Sequence, residues 1–105
     1  MMESSRLIIV PKNQTGIEKY NRGENGGTDS ELFHLNEDEF VSLQRNRVFD
    51  ILNNRFDLWI DDGESETVSA EQLKQAYSSI SPIKGEWKKA VEAAMQYGTC
   101  IFLVF

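Results

Sequence analysis

Thr99-Cys100-Ile101-Phe102-Leu103-Val104-Phe105 is an unbroken apolar run, β-rich throughout and preceded by Gly98. A strand that is apolar on both faces has to be covered on both, so it belongs in the interior of a sheet or under cover on each side. The run therefore predicts a C-terminal strand that is central in its sheet. Its natural neighbour is Arg6-Leu7-Ile8-Ile9-Val10, a second short β-rich run that closes at Pro11, because proline has no N–H to give a ladder.

Between these two runs the spacing predicts alternating elements. Glu31-Leu32-Phe33-His34-Leu35 reads as a strand. Asn36 and Glu39 have the spacing of an N-cap and its capping-box partner, and the apolar face of Phe40, Val41, Leu43, Val48, Phe49, Ile51 and Leu52 predicts one helix over 37–54. Phe56 to Ile60 reads as a strand, Asp62-Gly63 as a turn, and Glu66-Thr67-Val68 as a returning arm. Ser69 and Gln72 open a second helix that Ser81-Pro82 stops, and a third runs from about Lys84 to Tyr97 with Gly98 as its C-terminal cap. The fold class expected is α+β: one small mixed or antiparallel sheet with about three helices packed mainly on one face.

The chain length of 105 residues suits a single domain spanning 1–105. Residues 11–30 hold four of the seven glycines (Gly16, Gly23, Gly26, Gly27) among Asn and Thr, so this segment is expected to be a mobile loop, with Ile17 and Tyr20 as its available anchors. A single cysteine, Cys100, excludes an intrachain disulfide and a cysteine zinc cluster. The apolar run Leu7 to Val10 is too short for a signal-peptide core or a membrane span, which makes a cytoplasmic, soluble protein the expectation.

Charge is the most informative bulk property. The formal net charge is −6, yet residues 1–28 carry +1, residues 29–71 carry −9 and residues 72–105 carry +2. An acidic surface argues against nucleic acid and anionic membranes as partners. It favours a basic protein instead.

The acidic middle third peaks at Phe56 to Val68, where Asp57, Asp61, Asp62, Glu64 and Glu66 surround Trp59. A calcium-loop register that places Gly63 at the obligatory glycine position leaves only Asp62 on a ligand position, so that template fails and no metal or cofactor is expected. An acidic turn beside an aromatic side chain offers steering charge and an anchor together, which makes these six residues the candidate partner-binding set. In this reading Leu58 and Ile60 point inward, and the exposure of Trp59 distinguishes a binding surface from a solvated turn.

Other chemistry is thinly supported. His34 is the only histidine, which excludes a two-histidine site and leaves a small enzyme using Asp61 or Asp62 with His34 as the remaining catalytic arrangement; half-burial in a strand is the expectation for it. Cys100 sits in the most apolar strand, where burial opposes thiolate formation. The glycines of 23–27 lack the Gly-Lys-Ser/Thr ending of a phosphate loop. Lys84, Trp87, Lys88 and Lys89 form the one basic and aromatic patch, with Trp87 on the core side of its helix.

The expectation is therefore a small acidic protein–protein interaction module that is not an enzyme. In size and charge alone the chain resembles small acidic immunity proteins, which implies an inhibitor of a basic, nuclease-like partner and assigns no site residues. The second expectation, from a different class, is a structural or self-associating domain without ligand chemistry, forming a homodimer through the C-terminal strand.

Overall fold

The computed structural model describes residues 6–24, 27–80 and 85–105. Four strands, β1 (Arg6–Pro11), β2 (Ser30–Leu35), β3 (Ser65–Ser69) and β4 (Cys100–Val104), form one antiparallel sheet in the order β2-β1-β4-β3. The C-terminal strand β4 is bonded on both sides, to β1 and to β3. Self-association by pairing through that strand is thereby closed, since its edges are already used. Five α-helices, rather than about three, accompany the sheet among the described residues: α1 (Gln14–Asn21), α2 (Glu37–Arg45), α3 (Val48–Phe56), α4 (Ala70–Ile80) and α5 (Glu86–Tyr97). The class is α+β.

Strand alternation sorts the sheet into two apolar faces. Ile8, Val10, Phe33, Val68, Ile101 and Leu103 meet the buried faces of α2 to α5, with Phe40, Leu52, Leu73 and Trp87 among their partners. Ile9, Cys100 and Phe102 point the other way and are covered through Ile17 and Tyr20 of α1. The Tyr20 ring stacks on Phe102 with centroids 3.8 Å apart and planes 8° from parallel. The two-sided apolarity of the C-terminal run demands such a cover, and α1 supplies it.

The segment 11–30, read as a loop, thus contains a helix. Asn13 caps it by accepting the Gly16 N–H at 2.9 Å, and two apolar side chains suffice because the surface beneath them is already formed. The expected helix over 37–54 is two helices. The stripe begun by Phe40 and Leu43 would continue at Arg47 and Asp50, whereas the side chains buried after the break are Val48, Phe49 and Leu52. Arg47, in the left-handed region at φ 61°, resets the phase so that both apolar stripes reach the core.

No strand forms at 56–60. Helix α3 runs on to Phe56, and β3 pairs with β4 rather than returning against the preceding residues. The capping box at Ser69 is present in both directions, with the Gln72 N–H donating to Ser69 Oγ at 3.1 Å and the Ser69 N–H to Gln72 Oε1 at 3.0 Å. Gly98 closes α5 at φ 69°. The Ser81-Pro82 stop and the start at Lys84 lie outside the described residues.

At Gly16 helix α1 packs tightly on the end of β1 and the start of β2. A Cβ there would overlap the Asp29 carbonyl oxygen and stand 3.0 Å from Pro11 Cβ and from Ser30 Oγ. Alanine gains about 1 kcal/mol over glycine as a helix former, but overpacking against backbone costs about 1–3 kcal/mol. Gly16→Ala is accordingly expected to lower the melting temperature and to expose Tyr20, read by thermal denaturation and tyrosine accessibility; a stabilised variant would show that α1 does not dock on this face.

Candidate functional site

Residues 57–64 join α3 to β3, and α3 itself holds them in place. The Asn53 side chain clamps Ile60 from both directions, its Oδ1 accepting the Ile60 N–H at 2.7 Å and its Nδ2 donating to the Ile60 carbonyl at 3.0 Å. Asp57 ends the helix in the left-handed region, φ 58°, a conformation open to Asp at modest cost. Ile60 is buried and Leu58 packs against the core, as the apolar pattern predicted.

Trp59 lies between these two inward side chains and is 78% exposed. Its backbone N–H donates to Glu66 Oε2 at 3.0 Å, and the other oxygen of the same carboxylate accepts the Thr67 N–H at 2.9 Å. A large exposed aromatic on a backbone fixed at adjacent residues is an unusual surface feature. Isolated surface apolar residues are common, but tryptophan is a characteristic interface anchor.

The far end of the loop is a turn. The Glu64 N–H donates to the Asp61 carbonyl at 3.1 Å, with Gly63 at φ 85°, the positive φ that this turn position requires. Asp61 Oδ1 accepts the Asp62 N–H at 2.8 Å. Asp62 then reaches the end of β1, where Arg6 Nε and Nη2 grip its two oxygens at 3.1 and 2.9 Å.

Arg6 is only 5% exposed. Its remaining Nη1 donates to Glu37 in the first turn of α2, and its guanidinium lies 3.8 Å from the Phe40 ring centroid. A buried cation is tolerated when it is paired and fully hydrogen-bonded. The Arg6 guanidinium holds the Asp62 carboxyl below the usual aspartate range. The sequence reading missed Arg6, Glu37 and Asn53. For Arg6 a signal existed, because a two-residue period puts it on the same face as Ile8 and Val10.

The six candidate residues therefore divide by role. Asp62 is committed to Arg6, and Glu66 to two backbone amides. Asp57, Asp61 and Glu64 are exposed and take part in no salt bridge among the described residues. No three His, Cys, Asp or Glu side chains among the described residues converge as a metal-binding group.

His34 is exposed rather than half-buried. It pairs in register with Leu7 and so faces away from Arg6, which leaves it across the sheet from Asp62. Trp87 is fully buried, its indole N–H donating to the Ile80 carbonyl at 3.2 Å, so it offers no stacking platform, and Lys84 lies outside the described residues. Burial pushes the Cys100 thiol up to about 11, against any nucleophilic use. A groove of about 340 Å³ opens on the α1 side of the sheet, floored by Leu7, Ile9 and Val104 and bounded by Tyr20 and Glu24. Val104 of its floor pairs in register with Ser65, just after the acidic loop. No helix among the described residues is long and apolar enough to cross a membrane. Comparison of the chain with family models, with curated proteins and with solved structures gave no match in any of the three.

The depressed Asp62 carboxyl has a defined pH consequence. A group whose folded pKa lies below its unfolded one stabilises the fold above the unfolded value, and that contribution is lost as pH falls through the folded value. Asp62→Asn should lower the melting temperature at neutral pH and flatten the loss of stability below the ordinary aspartate range. Parallel melting curves for the two proteins across acidic pH would mean that the Arg6 pairing contributes nothing.

Proposed function

We propose that the chain is a small acidic protein–protein interaction module that engages a basic partner through residues 57–66. The observation that carries this reading is Trp59, exposed over 78% of its surface on a backbone held at Trp59 by Glu66 and at Ile60 by Asn53. An aromatic anchor displayed on a rigid segment loses little conformational entropy on binding, which is the usual cost of using a loop. Asp57 and Asp61 flank it two residues away on either side, and Glu64 follows beyond the turn. Their charge is part of the −9 of residues 29–71, an arrangement suited to steering a basic surface.

Asp62 and Glu66 have different duties in this reading. They shape the loop, with Asp61 also accepting the Asp62 N–H in its turn, while the exposed carboxylates of Asp57, Asp61 and Glu64 supply the field and Trp59 the contact. The finer form of the proposal is a cytoplasmic, immunity-type inhibitor of a basic, nuclease-like protein. Nothing in it requires the chain to catalyse a reaction, and the separation of His34 from Asp62 supports a binding role over an enzymatic one.

Affinity capture at low salt, using the chain as bait, is expected to recover a basic protein. Trp59→Ala should weaken that complex by at least about 30-fold, the loss of an anchor contributing roughly 2 kcal/mol. The triple variant Asp57→Asn, Asp61→Asn, Glu64→Gln should slow association and remove its salt dependence, which arises because exposed charges are screened within about 10 Å at 0.1 M salt. Full binding by both variants, folded by circular dichroism, would overturn the assignment.

A further inference from the structure

The two edges of the sheet are not equivalent. Antiparallel strands alternate residues that bond to one neighbour with residues whose N–H and C=O point the opposite way. At the β3 edge, the Phe105 N–H donates to the Glu64 carbonyl, so in the continuous register Glu66 and Val68 bond to β4 and Ser65, Thr67 and Ser69 face outward. The outward Thr67 and Ser69 N–H groups are already taken by the chain's own Glu66 and Gln72 side chains, at 2.9 and 3.0 Å. That edge is closed to a further strand.

The β2 edge differs. The Lys12 N–H donates to the Asp29 carbonyl, and Pro11, which has no N–H, pairs with Ser30. The alternation therefore turns Glu31, Phe33 and Leu35 toward β1, leaving the backbone groups of Ser30, Leu32 and His34 directed outward. No side chain among the described residues accepts from the Leu32 or His34 N–H. A strand end-on to solvent with unoccupied donors is a template for another strand.

The side chains along this edge point to what that strand is. The register aligns Phe102, Ile9 and Leu32 as one cross-strand row on the α1 side of the sheet. Phe102 and Ile9 are 4% and 2% exposed, whereas Leu32, at the end of the row, is 45% exposed. A twofold axis through Leu32 would set it against Leu32 of a second copy and continue the apolar row across the junction. The same axis sets Ser30 opposite His34 and Glu31 opposite Phe33, so no like charges meet although each chain carries −6. Ser30 and Leu32 carry no charge and the Glu31 carboxylate already accepts from the Tyr97 hydroxyl, which leaves a basic partner little to pair with here.

We propose that a second copy of this chain adds to the β2 edge, antiparallel and centred on Leu32, to form a twofold dimer with one continuous sheet. The interface is isologous, with Leu32 exchanging both backbone hydrogen bonds with its symmetry mate and Ser30 doing the same with His34. It lies on the edge opposite β3 and does not depend on the acidic loop.

The test is the mass of the intact chain in solution over a micromolar concentration series, by light scattering after size-exclusion chromatography, with backbone hydrogen exchange measured on the same samples. The expected result is twice the monomer mass at high concentration and protection of the Leu32 and His34 amides that rises with concentration. Leu32→Lys, which brings two ammonium groups together on the axis, should shift the mass to that of the monomer, and Thr67→Lys on the opposite edge should leave the dimer intact. Hydrogen exchange on the unmodified chain decides the matter even if Leu32→Lys fails to fold. A monomer at every concentration would overturn the proposal, as would a dimer in which Leu32 and His34 exchange freely or one that survives in folded Leu32→Lys.

Discussion

A cation buried at the end of the first strand organises this end of the molecule. Arg6 sits on the core face of β1, where the alternation that buries Ile8 and Val10 also carries its side chain inward. Leaving such a charge unpaired would be more costly than the backbone arrangement needed to pair it. Two segments far apart in sequence meet that need. Glu37 comes from the first turn of α2, where a carboxylate is also favoured by the helix dipole, and Asp62 comes from the turn that precedes β3. Phe40 supplies an aromatic face under the guanidinium. The acidic turn is thereby tethered to the sheet, and its exposed carboxylates project from a fixed base.

The presentation of Trp59 follows from this tether together with the Asn53 clamp. Leu58 and Ile60 are drawn to the core, so the intervening side chain must point out, and Glu66 fixes its backbone. Acidity in this region therefore has two distinct physical uses. Part of it is structural, in Asp62 and Glu66, and part is available as surface field, in Asp57, Asp61 and Glu64. Treating the six residues as one equivalent patch overlooks that division.

Much of the architecture was legible because it depends on local chemistry. The two-sided apolarity of residues 99–105 placed β4 inside the sheet, and the Asn36 and Ser69 caps marked the starts of α2 and α4. What escaped depends on tertiary partners. Helix α1 has too little apolar surface to form alone and becomes favourable on a finished sheet through Ile17 and Tyr20. The break at Arg47 is visible only as a one-residue phase shift between two apolar stripes. Phe56 to Ile60 has the composition of a strand, but Phe56 ends helix α3 and the Asn53 side chain takes both backbone groups of Ile60. The candidate site was found through charge and the aromatic residue; its supports were not, since Arg6 meets Glu37 and Asp62 across tens of residues and Asn53 reaches Ile60 only because α3 ends between them.

The central claim is that Trp59 is displayed on an ordered backbone rather than on a loose acidic loop. Backbone amide relaxation by NMR tests it directly. The tethered loop predicts an order parameter at Trp59 of about 0.85, the value of rigid secondary structure, whereas a value below about 0.6 would mark a flexible segment and contradict the account.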